Sequence, residues 1–260
     1  MGFFFPSDPD YFPNERKTGF QRYAQVLERD WKRFFLVDLL TLATLIPFAA
    51  GVTISVLTSS LLILIPACII GGTIAGPGIA CMHDCILRAL RDNRDDWWFN
   101  YKKAFRQNLG ASLVPGVILC LFLGFVVFAG AMMWWSELPI TAGTLAIMAL
   151  SLLIVTMVFT IWWPQIVLFS QRPKIQLKNC ILFIIQYFWR SLGVAALQLL
   201  WWVIIGLFMP WTAFLIPFLG VWYILYVSLF FLYEKLDYAF KIEEQIAQHF
   251  PEQVPVYEEE

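Results

Sequence analysis

Thr73–Leu113, TIAGPGIACMHDCILRALRDNRDDWWFNYKKAFRQNLGASL, decides the fold of this chain. It opens as the end of an apolar helix and passes through a Gly/Pro-rich bend. It then becomes strongly charged, carries an aromatic cluster and turns apolar again. A weaker copy of the same succession runs from Thr160 to Leu197. Both read as cytoplasmic connectors between membrane helices.

Working outward, the composition agrees. Apolar residues make up 60% of the 260 and charged residues 14%, with a mean hydropathy of +0.68. A soluble domain is about half apolar and about a quarter charged. The net charge of −1 leaves no basic field of the kind nucleic acid requires. Six apolar segments, 34–57, 60–82, 111–135, 141–169, 191–209 and 212–233, each reach the roughly 20 residues that carry a helix across about 30 Å of hydrocarbon. Backbone groups must be satisfied internally in lipid, so these are helices. The predicted fold is all-α and polytopic, with about six transmembrane helices. Segment 141–169 exceeds the needed length and should tilt or project.

The charges orient the chain. All 18 Lys and Arg lie in the N-terminal region, the 83–110 connector, the 170–190 connector and the C-terminal region, six, six, four and two respectively. The three opposite loops, around Thr58–Ser59, Ser136–Ile140 and Pro210–Trp211, hold none, and Glu137 is their one charge. The positive-inside rule therefore predicts that both termini and both connectors are cytoplasmic. Trp134, Trp135 and Trp211 read as interfacial anchors. With such short external loops there is little surface for receptor-type binding. Cys68, Cys81, Cys85, Cys120 and Cys180 fall in no external loop, which argues for reduced thiols.

The chain divides into three regions on this basis. Residues 1–33 form a cytoplasmic tail and an amphipathic helix, 34–233 the membrane domain, and 234–260 a cytoplasmic C-terminal helix with an acidic tail. The first tail is Pro- and Asp-rich and irregular, and its Phe3–Phe5 run is apolar enough for the interface. In Thr18–Arg33, Phe20, Tyr23, Leu27 and Trp31 share one helical face beside Arg22, Arg29, Lys32 and Arg33. Two readings are open: an interfacial helix leading into span one, or a helix packed on the protein's own cytoplasmic face. The first apolar run, starting near Phe34, has spanning length and reads as a membrane helix rather than a signal-peptide core. The C-terminal helix, Glu234–Phe250, presents Leu236, Ala239, Phe240, Ile246, Ala247 and Phe250 on one face, interrupted by Glu243. Pro251 ends it, and Glu258–Glu260 reads as a solvated tail.

The two connectors suggest a parallel internal repeat. Thr-Ile-Ala-Gly-Pro-Gly-Ile-Ala (73–80) aligns with Thr-Ile-Trp-Trp-Pro-Gln-Ile-Val (160–167), and Phe105-Arg-Gln-Asn-Leu-Gly aligns with Phe188-Trp-Arg-Ser-Leu-Gly. Pro77 and Pro164 cannot donate a backbone hydrogen bond and predict kinks.

Few residues could carry chemistry. Cys81, His83, Asp84 and Cys85 have the ligand types for a soft divalent metal. On an ideal helix, however, His83 points away from Cys81, and no second His/Cys pair comes after it, so no metal or cofactor is assigned. Gly72 and Gly76, with Pro77 and Gly78, suit close helix packing or, alternatively, a gate. Asp38 is the one acid inside an apolar span, where unpaired burial is costly. It reads as a residue that reaches the interface, pairs with a connector Arg, or holds a proton or cation. Gln165 and Gln198 are the other strongly polar span residues. Arg88, Arg91, Trp97, Trp98, Lys102, Lys103 and Arg106 suit anionic headgroups or a docking partner. With no Ser-His-Asp order, paired catalytic carboxylates or nucleotide loop, the chain reads as a non-enzyme.

The stretch resembles the YesL-like family of bacterial integral membrane proteins. The resemblance rests on Thr73-Ile-Ala-Gly-Pro-Gly-Ile-Ala, on Leu87-Arg-Ala-Leu-Arg, and on Trp97-Trp-Phe-Asn-Tyr-Lys-Lys-Ala-Phe-Arg-Gln-Asn-Leu. Entry to span one through Trp31-Lys-Arg-Phe-Phe is similar too, so the resemblance covers about residues 18–235. Ala75 lengthens the family's Thr-Ile-Gly-Pro element by one residue. The resemblance implies an accessory role beside ABC-type carbohydrate import systems and carries over no catalytic residue. The expected function is thus an accessory or regulatory membrane protein, with transporter subunits and the lipid bilayer as partners. The alternatives are a small-solute channel or transporter, alone or as a homo-oligomer, and a lipid-interacting scaffold.

Overall fold

The computed structural model of the chain describes residues 16–93, 96–135, 141–169 and 171–249. Among them every regular element is a helix: α1 (Gly19–Leu57), α2 (Leu61–Leu90), α3 (Trp97–Trp135), α4 (Ala142–Leu168), α5 (Pro173–Gln186), α6 (Phe188–Leu207), α7 (Leu215–Leu219), α8 (Trp222–Phe240) and α9 (Ile242–His249). Six helices are long and apolar enough to cross a bilayer, with α7 and α8 taken together as Leu215–Phe240. Only 22% of the most apolar window of α4 is buried, so its apolar side chains, Ile147, Leu150 and Ile154 among them, face outward. That is the surface a bilayer covers, and the chain is an all-α multi-pass membrane protein. The expectations for Phe3–Phe5, Glu137, Arg94, Phe250, Pro251 and Glu258–Glu260 lie outside the described residues.

The helices outrun the predicted spans. α1 and α3 have 39 residues each, about 58 Å of helix, against about 30 Å of hydrocarbon. The segment from Gly19 to Arg33 is therefore the first part of α1 and not a separate interfacial helix. The 83–110 connector contracts in the same way: α2 continues to Leu90 and α3 begins at Trp97. No Gly or Pro interrupts Arg33–Phe34 or Met82–His83, and extending a helix is easier than nucleating a new one. The 170–190 connector does form its own helix, α5, opened by Pro173 at its first position. At the other end of the chain, α8 stops at Phe240. Lys241 is left-handed (φ 50°), and α9 starts afresh, so the predicted C-terminal helix is broken.

Helix α2 is the centre, with α1 on one side and α3 on the other. A Cβ on Gly72 would lie 2.6 Å from Val117 Cα, and one on Gly76 would lie 2.5 Å from the Ser112 carbonyl oxygen. From the facing side, a Cβ on Gly116 would lie 2.8 Å from Gly76 Cα. Gly71 meets Phe48 of α1 and Gly78 meets Thr44. The stripe Gly72–Gly76 is thus filled by α3 backbone, the packing by which small residues let membrane helices approach. Pro77 is buried in the same seam.

Pro164 is likewise buried within α4. Beyond the two prolines the candidate repeat units differ. α2 runs on to Leu90 while α4 ends at Leu168, and Phe105 is inside α3 while Phe188 opens α6.

The tight seam makes a prediction. Gly76→Leu should lower the thermal midpoint of the detergent-solubilised protein, by the equivalent of about 1–3 kcal/mol or more. Gly110→Leu, where a Cβ meets nothing within 4 Å, should leave it nearly unchanged. Equal midpoints for the two variants would show that the seam does not set stability.

Candidate functional site at the basic end of the bundle

All four basic regions meet at one end of the bundle. Arg22 and Arg29 of α1 reach Asp92 in the α2–α3 turn, and Arg16 reaches Glu243 of α9. Arg190, near the start of α6, lies 3.5 Å from Glu234 of α8.

Asp92 is the hub. It comes directly after the C-cap Arg91, in a left-handed conformation (φ 60°). Its N–H donates to the Ala89 carbonyl (3.2 Å), and Asn93 N–H donates to the Arg88 carbonyl (3.0 Å). This is the Schellman geometry that ends a helix, with Asp in the place Gly more often takes. The turn points the carboxylate back along α1. Arg22 Nη2 donates to Asp92 Oδ2 at 2.7 Å, Arg29 Nη1 donates to Oδ1, and Arg16 Nε lies 4.0 Å away. The same guanidiniums cap the last carbonyls of α2: Arg22 donates to Leu90 O (2.8 Å) and Arg29 to Ala89 O (2.7 Å). Cations belong at a helix C-terminus, where carbonyls lack intrahelical donors.

A second carboxylate, Asp30, is 1% exposed. Arg29 Nε donates to its Oδ2 at 2.7 Å, and Arg33 Nη1 lies 3.2 Å from its Oδ1. Burial by itself would lower the Arg29 pKa, but Asp30 and Asp92 outweigh it and raise the value, so the guanidinium stays charged. The face α1 turns inward is therefore Arg22, Val26, Asp30 and Phe34, while Phe20 is 82% exposed. Of the two readings of this segment, the helix packs on the protein itself, through charges shared among Asp30, Asp92 and three arginines and through Tyr23, whose ring lies 5.1 Å from that of Tyr226.

Glu243, which interrupts the apolar face in sequence, anchors α9. It accepts from Arg16 Nη2 at 2.7 Å and Nη1 at 3.0 Å, and from the Tyr233 hydroxyl at 3.0 Å. Asp237 Oδ1 accepts from its N–H at 2.8 Å. Burial pushes the Glu243 carboxyl up, but the hydrogen bond and charge of Arg16 outweigh it and hold the pKa below the ordinary value.

The predicted contact set divides in two. Arg88 donates to Asp84 Oδ2 at 2.8 Å. Arg91 is buried, and its Nε donates to the Leu87 carbonyl; burial lowers its pKa. Trp97 packs on the core. These three face inward. Trp98, Lys102, Lys103 and Arg106 are exposed on α3 beside Phe99. Lys102 Nζ stands 5.3 Å from the Trp98 ring centroid, and Trp98 stacks on Tyr101 at 6.0 Å.

The metal candidates diverge. His83 is stacked on Trp163 of α4 at 5.9 Å, with Nδ1 2.9 Å from the Ile79 carbonyl. Cys81 Sγ is directed at the Tyr101 carbonyl, 3.7 Å away. No three His, Cys, Asp or Glu among the described residues converge to hold a metal ion.

The polar span residues serve helix contacts. Asp38 is 0% exposed. Its Oδ1 accepts from the Trp222 backbone N–H at 3.1 Å, at the first residue of α8, where span six is interrupted after α7. It acts as an N-cap supplied by another helix, not as a partner of a connector Arg. Its Oδ2 has no hydrogen-bond partner among the described residues. Gln165 donates to Cys180 Sγ of α5 at 3.0 Å. Gln198 of α6 has its Nε2 3.0 Å from Thr160 Oγ1 of α4 and 2.9 Å from Ser228 Oγ of α8.

Sequence patterns alone do not reveal the hub. Its one local signal is Asp92–Asn93, two residues that tolerate the left-handed conformation, directly after a helix rich in Arg. The partners of Asp92 on α1 are some 60 to 70 positions away, and no sequence periodicity points to them.

Two outcomes test this arrangement. Asp92→Gly keeps a residue that accepts the turn but leaves Arg22 without its carboxylate and Arg29 with Asp30 alone, which should cost roughly 3–5 kcal/mol. Asp92→Ala should cost more, because it also strains the turn. A thermal midpoint within error of the parent for Asp92→Gly would show that the carboxylate contributes nothing. For Glu243, the folded-state pKa is depressed, so its contribution is full above the unfolded value of about 4.3 and is lost as pH falls through the folded value. Amide protection in α9, taken relative to the intrinsic exchange rate at each pH, should therefore fall on acidification below about pH 4.3, and Glu243→Gln should show low protection at neutral pH already.

No family model, no curated protein and no solved structure matches the chain.

Proposed function

We propose that the chain is a non-enzymatic membrane protein that serves as an accessory or regulatory component of a larger membrane complex. It would sit in a bacterial cell membrane with its basic end, and so both termini, in the cytoplasm. The observation that carries this reading is the α3 edge at that end. Trp98, Phe99, Lys102, Lys103 and Arg106 stand exposed along α3, on a base held by the Asp92 and Asp30 ion pairs. Exposed aromatic and basic side chains on a rigid support are what a docking partner or an anionic lipid surface engages. The acids and bases behind them are paired with each other, in the manner of a scaffold. The resemblance to the YesL-like family favours ABC-type carbohydrate uptake as the system served.

A second reading, a small-solute channel or transporter acting alone or as a homo-oligomer, draws support from Asp38. A buried carboxylate at an interrupted membrane helix is a feature of ion and proton sites.

Gentle detergent purification of the tagged chain from its host, with mass spectrometry of the accompanying proteins, separates the two. A stoichiometric transporter subunit should accompany the parent and be lost from a Trp98→Ala, Lys102→Glu, Arg106→Glu variant whose thermal midpoint is unchanged. A protein that emerges alone, or only with itself, moves the assignment to the second reading.

A further inference from the structure

Helix α5 has 14 residues and is about 21 Å long, too short to cross about 30 Å of hydrocarbon. Its inner face is Gln176, Cys180 and Phe183, at helical spacing. Gln176 Oε1 accepts from Trp162 Nε1 of α4 at 3.1 Å. Cys180 Sγ accepts from Gln165 Nε2 of α4 at 3.0 Å, and the Phe183 ring stacks on Phe240 of α8 at 5.9 Å. These contacts fix which face points away from the protein. On that outer face the residue types divide along the helix axis. The first two turns expose Lys174 and Lys178, just after an exposed Arg172. The last two expose Ile181, Leu182 and Ile185, the last at 70%. The apolar half leads into α6, a helix of spanning length, whose first residues Phe188 and Trp189 are exposed too. Residues 171–190 contain no Asp or Glu, and the side chains of Arg172, Lys174 and Lys178 form no ion pair among the described residues. Arg22, Arg29, Arg33 and Arg88, by contrast, all meet carboxylates.

We propose that the outer face of α5 lies in the membrane interface and binds anionic phospholipid. Ile181, Leu182 and Ile185 enter the boundary of the acyl chains beside the start of α6, and the cations at the other end of the same face reach the headgroups. Uncompensated cations select a net negative headgroup, each one near an anionic leaflet adding about fivefold in affinity. A zwitterionic headgroup carries its own cation beside its phosphate and offers these lysines no net attraction. The apolar half favours the bilayer over an acidic protein, because it runs directly into a spanning helix and a soluble partner would have to meet it at the depth of the lipid. This surface is separate from the α3 edge. The inference rests on the membrane assignment alone and stands whether or not the protein serves a complex.

The test places the full chain in bilayer discs of phosphatidylcholine, with and without phosphatidylglycerol, and reads amide protection along α5. A ligand that binds the folded helix suppresses its local opening. Protection of α5 should rise severalfold when phosphatidylglycerol is present, while the amides inside spans α4 and α6 stay unchanged. High salt should abolish the rise. A Lys174→Gln, Lys178→Gln variant removes two exposed charges and should lose most of it. An Ile181→Ser, Ile185→Ser variant withdraws the apolar half from the acyl boundary and should lower α5 protection in both kinds of disc. If a variant fails to fold, the lipid and salt responses of the parent decide alone. Equal α5 protection in the two discs, a rise confined to α3, a rise that persists at high salt or in the folded lysine variant, or unchanged protection in the folded isoleucine variant would each overturn the assignment.

Discussion

A carboxylate buried beside a helix end must be paired, and through Asp92 that constraint shapes the basic end of the bundle. Its left-handed backbone ends α2, and its side chain holds Arg22 and Arg29 of α1. Those guanidiniums also cover the last carbonyls of α2. One residue thus joins the end of α2 to the inward face of α1. Asp30 repeats the arrangement closer to the membrane through Arg29 and Arg33. Breaking any of these pairs leaves a charge with no solvent to receive it, so the cluster is mutually dependent.

The bundle below this cluster is held differently on its two sides. Between α2 and α3 backbone approaches backbone at Gly72, Gly76 and Gly116, while on the α1 side Gly71 meets Phe48 and Gly78 meets the Thr44 side chain. On the other side, polar side chains join helices that stand further apart. Gln198 bridges α6 to α4 and α8, and Trp162 Nε1 donates to Gln176 Oε1 to tie α4 to α5. Both devices replace the hydrophobic driving force that is missing between helices in lipid. Asp38 belongs to neither. It satisfies a backbone N–H exposed by the interruption between α7 and α8, which accounts for a carboxylate in an otherwise apolar segment.

Helix type and span number were legible in the sequence because runs of about 20 apolar residues have one solution in lipid. The Gly72–Gly76 spacing pointed to a close helix approach for the same local reason. Other inferences failed where long-range charge pairing competes with local pattern. The aromatic stripe of Phe20, Tyr23, Leu27 and Trp31 left open an interfacial helix or one packed on the protein, and it gave no sign that Arg22, Val26 and Asp30 are the residues buried. Arg88 and Arg91 looked like surface contacts and turned inward. Glu243 looked like a flaw in an apolar face and is its anchor.

The sequence by itself determined an all-α membrane protein with six spanning helices and its basic residues gathered in four stretches, since hydropathy and charge are sums over neighbouring residues. Only the tertiary structure decided that α1 and α2 continue through their charged segments, and that Asp30, Asp92 and Glu243 are the acids that bind the basic stretches together. The reason is physical. A charge on a helix can face water, lipid headgroups or another charge, and which of these it meets depends on helices some 60 to more than 200 positions away.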